Sequence, residues 1–338
     1  MTQFKTRLTP ELIAQYSATG AWPNRLLTDF LDDAVRIAPG KTAIIDSRGS
    51  ITYAALARES TRCAHALLTL GLKPGDVVAM QIPNWKEFLI MHLAATRIGV
   101  VSSLITPMSR DRELAHMLNL SDARVLVIPD SFRGHDYRAM AARVRGEASS
   151  LQHVIVVGET ACADEMRWDD FLAAARTNQP LEALRPHANE VTEIVFTSGA
   201  TAEPKGVVIT HKNVLANVVP VEREVLKYKK WGTPFFPIRF LNLLPLSHMF
   251  GQSMATNVPP MLDGTVIFTR SFNPHDILRL IRGRRVSVLV CVPKILDVLR
   301  EHTLRAAPET AEPAPPGTSI PGRWWRYRRV HRAFGPKF

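Results

Sequence analysis

The stretch Glu193-Ile-Val-Phe-Thr-Ser-Gly-Ala-Thr-Ala-Glu-Pro-Lys-Gly-Val-Val-Ile-Thr210 decides how the chain is read. Glu193 to Thr197 and Val207 to Thr210 are short apolar runs suited to strands, and helical spacing begins at about Lys212. Between the strands, Thr197, Ser198 and Thr201 carry hydroxyls, Gly199 and Gly206 free the backbone, and Lys205 adds a mobile positive charge. Hydroxyls and unpaired backbone N–H groups donate to phosphate oxygens, and glycine lets the backbone approach where a Cβ would clash. The loop reads as a phosphate cradle. Lys205 precedes Gly206 and a strand follows, so this is no Walker A motif, and no helix dipole assists. Two other readings stand beside it. One is a polar turn closing a β-hairpin. The other is a Ser–Lys catalytic pair, although no neighbouring residue supplies an oxyanion or leaving-group partner.

Outward from this loop the chain alternates helical and strand periodicity. Helices are expected over Leu26–Ile37, Ala54–Leu70, Trp85–Ile98, Asp111–Leu120 and Tyr137–Val144, and strands over Val77–Ile82, Val100–Ile105, Arg124–Ile128 and His153–Val157. Thr42–Asp46 and Ile51–Tyr53 bracket a turn and read as a hairpin. Beyond the loop come strands Phe240–Leu244, Thr265–Phe268 and Val286–Val290, with helices Pro274–Arg282 and Lys294–Leu304. Short apolar strands separated by helices predict an α/β fold of two doubly wound βαβ subdomains with mostly parallel sheets. Residues 1–188 form a first α/β region, and 189–307 form a second that begins with the loop. Residues 308–322, with Pro308, Pro313, Pro315, Pro316 and Pro321, are a linker or long loop that cannot be helix or central strand. Residues 323–338 are a basic Trp/Arg-rich end that reads as the start of an element in a truncated domain.

Composition narrows the partners. The 338 residues carry a formal charge of +11. Six basic side chains and no acid lie between Ile320 and Phe338, and without that end the charge falls to +5. The excess is local, no nucleic-acid module is recognisable, and a nucleic-acid partner is not expected. Cys63, Cys162 and Cys291 are far apart and form no CxxC pair, which fits a reducing, cytoplasmic compartment. The N-terminus lacks the apolar core of a signal peptide, and no apolar run approaches the roughly 18 residues a membrane-spanning helix requires. The Trp- and Arg-rich end reads either as an interfacial segment, with weak peripheral association at a membrane surface, or as an unpaired core helix.

The loop resembles the phosphate-binding signature of the adenylate-forming superfamily, which includes acyl-CoA synthetases, luciferases and peptide-synthetase adenylation domains. Its pattern is approximately [YF]-T-S-G-[ST]-T-G-x-P-K-G-V. Thr197, Ser198, Gly199, Thr201, Pro204, Lys205, Gly206 and Val207 match it, while Ala200 replaces a hydroxyl residue and Ala202 a glycine. Three further segments resemble family landmarks in the expected order. They are Ile51–Leu56 followed by Gly71–Val78 and Gln81–Asn84, then Leu243–Gly251, then Val292-Pro293-Lys294-Ile295-Leu296.

The resemblance implies ATP-dependent attack of a carboxylic, by expectation fatty, acid on the α-phosphate. Coenzyme A would then displace AMP to give a thioester. It implies that residues 197–202, Lys205 and Gly206 hold the nucleotide and that Thr201 contacts Mg²⁺. Lys205 and His248 are the expected catalytic residues. His248 would orient the acid carboxylate, with Met249, Phe250, Gly251, Val292 and Pro293 shaping the acyl pocket. The alternatives are a catalytically incomplete nucleotide- or acyl-binding relative, or a peripheral membrane protein. The family's Tyr-Gly-x-Thr-Glu and Thr-Gly-Asp segments and its C-terminal lysine domain do not occur in these residues. The 338-residue chain is therefore expected to release no pyrophosphate from ATP and a fatty acid at enzymatic rates. A coupled pyrophosphate assay showing such release would refute that expectation.

Overall fold

The computed structural model describes residues 4–159, 164–176, 180–197, 203–227, 236–335 and 337. Its strands are β1 (Thr42–Asp46), β2 (Gly49–Thr52), β3 (Val77–Met80), β4 (Val101–Leu104), β5 (Ala123–Pro129), β6 (Ser131–Phe132), β7 (His135–Asp136), β8 (His153–Val157), β9 (Glu165–Arg167), β10 (Val191–Thr197), β11 (Lys205–Thr210), β12 (Arg239–Asn242), β13 (Thr265–Phe268) and β14 (Val288–Val290).

One sheet has the order β11-β10-β4-β3-β5-β8-β9 and is parallel except for the antiparallel β10–β11 pair at its edge. Its central strands are buried on both faces. Val78, Met80, Val125 and Val127 pack on one side, and Val77, Ala79, Leu126 and Ile128 on the other. That is why they read as continuous apolar runs without alternation. The second sheet has the order β14-β12-β13-β1-β2, parallel except for the β1–β2 hairpin. A single core fills the space between the sheets, with Phe30, Tyr53, Phe88, Met91, Leu215, Phe240 and Val266 among its members. Tyr53 lies within it and donates from its hydroxyl to the Gly264 carbonyl at 2.6 Å.

The parallel α/β architecture agrees with the sequence reading. The sheets, however, cut across the division drawn at residue 188. The early hairpin β1–β2 joins the second sheet beside β13, and the later pair β10–β11 extends the first sheet beside β4. Periodicity locates a strand, but it carries no information about which sheet the strand enters. A smaller difference lies at the linker. Ile320, Pro321 and Gly322 belong to the helix Ile320–Arg326, where Ser319 caps the start by accepting from Gly322 N. Proline is tolerated there because a first-turn N–H has no intrahelical partner to lose. A second short helix, Arg328–Phe334, follows and packs on the helix Pro274–Arg284, and a Cβ added at Gly335 would lie 3.3 Å from the Arg282 Cα.

The strand expected over Phe240–Leu244 ends at Asn242, for a reason that shapes the site. Asn242 is buried, and its side-chain amide accepts from Leu244 N (3.2 Å) and donates to the carbonyls of Leu244 (3.3 Å) and Gly251 (3.1 Å). These bonds pull Leu243 and Leu244 out of the sheet into a turn against the helix Met249–Gln252. Gly251 is buried where that helix meets the turn, and a Cβ added there would lie 2.4 Å from the Pro245 carbonyl oxygen. Gly251→Ala is expected to force the turn outward and destabilise the fold by about 1–3 kcal/mol, measured as a lowered denaturation midpoint with the cooperativity of unfolding unchanged.

Candidate active site

The carboxyl ends of strands from both sheets face a common cleft, the usual place for a ligand in parallel α/β sheets. A cavity of about 100 Å³ there is lined by Asn84 and Trp85 after β3, Met108 after β4, Phe132 and Arg133 after β5, and Leu243 and Arg270 from the second sheet. Asn84 clamps the two sheets across it. Its Nδ2 donates to the Leu244 carbonyl at 2.7 Å and its Oδ1 accepts from Leu246 N at 3.1 Å. The family-like Pro83-Asn84 pair thus holds the turn that leads to His248.

Guanidinium groups stack on the aromatic rings at the cleft lip. Arg48 lies 4.5 Å and Arg270 5.0 Å from the Trp85 ring, while Arg133 lies 5.0 Å from Phe272 and 5.3 Å from Phe132. Arg48 also pairs with buried Glu87, whose carboxyl is pushed up by burial despite that partner. An apolar floor beneath stacked cations suits an anionic ligand with an aliphatic or aromatic body. Nothing in the arginine spacing announced this, because the three come from separate loops.

His248 is exposed and caps the helix Met249–Gln252, its Nδ1 accepting from Phe250 N at 3.4 Å. A neutral ring in that bond carries its proton on Nε2, which is left to donate outward. Met249 is half-buried and Phe250 is 55% exposed. Val292 and Pro293 are exposed at the end of β14, beside the turn, because β12 and β14 pair at Asn242 and Val290 and Leu243 N donates to the Val290 carbonyl at 2.9 Å. None of His248, Met249, Phe250, Val292 and Pro293 lines the cavity beside Asn84.

Ser198, Gly199, Ala200, Thr201 and Ala202 lie outside the described residues, and so does the expected Mg²⁺ contact at Thr201. The two arms of their loop are described. Thr197 ends β10 opposite Lys205, which opens β11, so the two side chains share a face of the hairpin. Glu203 and Pro204 are anchored to the helix Asp111–Ser121. His116 meets Glu203 Oε2 through Nδ1 at 3.1 Å and the Pro204 carbonyl through Nε2 at 2.9 Å, and Arg112 meets Glu203 Oε1 at 3.2 Å. This arm borders a groove of about 1180 Å³ with Phe196, Lys205 and Gly206. Gly206 allows the hairpin to close, since a Cβ there would lie 3.0 Å from the Ile194 side chain. The described arms, β10 and β11, form an antiparallel pair up to Thr197 and Lys205. Among the described residues no group of three His, Cys, Asp or Glu side chains could hold a metal. These residues offer no carboxylate cage for Mg²⁺.

The residues that tie the two halves together were missed by sequence reasoning. Glu193 shares a face of β10 with Thr197, because strand side chains alternate with a period of two. Its Oε2 accepts from Gln252 Nε2 at 2.5 Å, and Gln252 lies one helical turn beyond His248. Gln252 also contacts His92 Nε2 at 3.3 Å, and His92 Nδ1 meets Ser102 Oγ at 3.0 Å. All four side chains are fully buried. Burial pushes Glu193 up to about 7 and His92 down to about 3, so their 3.9 Å approach is no ion pair near neutrality. Glutamate in the middle of a strand was the available signal, since an unpaired charge in a core strand calls for a buried partner.

The chain is similar to known proteins over most of its length. It is 28% identical over 288 residues to the medium-chain fatty-acid–CoA ligase of Escherichia coli, covering 85% of this chain and 50% of that protein. It is 34% identical over 209 residues to a salicyl-AMP ligase / salicyl-S-ArCP synthetase of Mycobacterium tuberculosis, covering 60% and 36%. The apo structure of MbtA from Mycobacterium smegmatis superimposes with a TM-score of 0.77 at 25% identity, over 88% of this chain and 54% of that one. The chain therefore spans about half the length of such relatives. With residues 31–320 matching the family model described as AMP-binding enzyme, the chain belongs to that family of adenylate-forming ligases.

Proposed function

We propose that this chain is the acid- and nucleotide-binding part of a ligase that converts a carboxylic acid, a fatty acid in preference to an aryl acid, to its adenylate and then to a coenzyme A thioester. The observation that carries the proposal is the link from β10, which enters the phosphate loop, to the helix that starts at His248. It supports a site where a nucleotide phosphate and an acid carboxylate meet. In the first step a carboxylate oxygen attacks the α-phosphorus and pyrophosphate leaves. In the second a thiolate attacks the acyl carbon and AMP leaves. Both partners in the first step are anions, so the barrier is chiefly electrostatic and fixed positive charge lowers it. Lys205 and the loop hydroxyls supply donors to the phosphates, and His248 Nε2 orients the carboxylate. Held geometry contributes the rest. Met249, Phe250, Gly251, Val292 and Pro293 form the rim along which the acyl chain lies. The medium-chain fatty-acid relative supports an alkyl acid, and the salicyl relative marks the aryl acids as the comparison to make.

The test uses the whole open reading frame that contains these 338 residues. Pyrophosphate release is followed with ATP and a series of alkyl and aryl acids, and hydroxylamine traps the adenylate. Alkyl acids are expected to turn over faster, and His248→Ala to lower kcat/KM for the acid by roughly ten- to hundredfold. An unchanged rate in His248→Ala removes His248 from the mechanism.

Contact with a membrane surface is a second reading, favoured by one observation. Trp324 and Trp325 are 61% and 65% exposed, with Arg328 stacked 4.5 Å over Trp325. Among the described residues no helix is long and apolar enough to cross a membrane, so association would be interfacial. Sedimentation with vesicles containing phosphatidylserine is expected to retain the protein, and Trp324→Ala/Trp325→Ala to release it. Equal behaviour of the two proteins ends this reading.

A further inference from the structure

We infer that Glu193 and Gln252 are positioning residues, whose buried hydrogen bond sets the His248 helix against the strand entering the phosphate loop, and that ionisation of Glu193 loosens this joint. The inference rests on the acid activation proposed above. Gln252 follows His248 by four residues and Glu193 precedes Thr197 by four, so the contact lies one short element away from each reacting end. The helix changes to a π-turn over Ser253–Asn257 immediately after Gln252, a local irregularity that frequently accompanies functional sites.

Burial at the joint favours a neutral Glu193 and outweighs the Gln252 hydrogen bond, which favours the ionised form. Glu193 is fully buried, receives the Gln252 amide, and its Oε1 has no hydrogen-bond partner among the described residues. The titratable groups packed towards it are His92 from the helix Lys86–Arg97 and, behind it, His211 at the start of the helix His211–Lys227. Burial holds both below their ordinary range, at about 3 and about 4, so neither offers a positive charge near neutrality. An ionised carboxylate with one donor and no cation is costly in such surroundings. With its carboxyl raised to about 7, Glu193 keeps its proton in the native state where the unfolded chain, near 4.5, has lost it. The native state then binds more protons than the unfolded one between those values. The stability this group contributes is complete below about 4.5 and is lost as pH rises through about 7.

The experiment compares the full-length protein with Glu193→Gln, which keeps the shape and cannot ionise, and with Gln252→Met, which keeps the bulk and loses the bond. The wild-type denaturation midpoint should fall from pH 5 to pH 8 more steeply than that of Glu193→Gln. The kcat of wild type should decline on the alkaline side near pH 7, and Glu193→Gln should lack that limb with KM for ATP unchanged. Gln252→Met should lower kcat roughly ten- to hundredfold with little change in KM. If no acid is adenylated, the functional proposal fails by itself. The joint is then read from hydrogen exchange over residues 249–261, compared at each pH with Glu193→Gln so that intrinsic exchange cancels. Wild-type exchange that rises above the variant as pH passes 7 supports the joint. Identical pH profiles, or a Gln252→Met protein with wild-type kcat, overturn it, and should Gln252→Met fail to fold, Glu193→Gln decides alone.

Discussion

Glu193, Gln252 and His92 form a polar seam inside an otherwise apolar core, and the geometry of the site depends on it. Apolar packing is indifferent to small slips between surfaces, while a buried hydrogen bond fails within an ångström. The sheets meet through side chains such as Phe88, Leu215 and Phe240, which supply cohesion without register. The seam and the Asn84 clamp supply the register. Polar groups desolvated in this way add little net stability, so their value lies in fixing one arrangement among several of similar energy.

The two arms of the loop between Thr197 and Lys205 are held in different ways. The upstream arm continues β10, whose parallel pairing with β4 and buried Glu193 fix its direction. The downstream arm lies on the sheet edge and is tied by His116 and Arg112 through exposed or half-exposed polar contacts. Such contacts are individually weak and sensitive to salt. One side of the loop is therefore anchored in low dielectric and the other in water.

Much of this was legible in the residues. The loop between Thr197 and Lys205 was singled out by residue type, because glycine and hydroxyl residues mark backbone freedom and donors directly, while Leu243–Gly251 and Val292-Pro293 were singled out by resemblance to family landmarks. The family itself was recognisable from four ordered segments, before any contact was known. The connections between them were not legible. Asn84–Leu244 and Glu193–Gln252 each join residues far apart in sequence, and a buried carboxamide has the same sequence appearance as an exposed one. The sheet that the β1–β2 hairpin joins was not legible for the same reason. The stop of β12 at Asn242 depends on side-chain bonds to backbone that has not yet been traversed.

The crossing of the hairpin β1–β2 into the second sheet has a consequence for biosynthesis. Ile44 pairs with Val266, roughly 220 residues later in the chain. At ribosomal speeds of about 5–20 residues per second, the hairpin exists for on the order of ten seconds or more before β13 is made. Throughout that interval one edge of β1 presents unpaired backbone groups and the apolar face of Ile44, the kind of strand edge that recruits other nascent chains. The pairs β3–β4, β3–β5 and β5–β8 of the first sheet face no such delay, because their partners arrive within a few tens of residues. Holdase chaperones are therefore expected to engage the nascent chain at the β1–β2 hairpin and to leave once residues 239–268 have emerged.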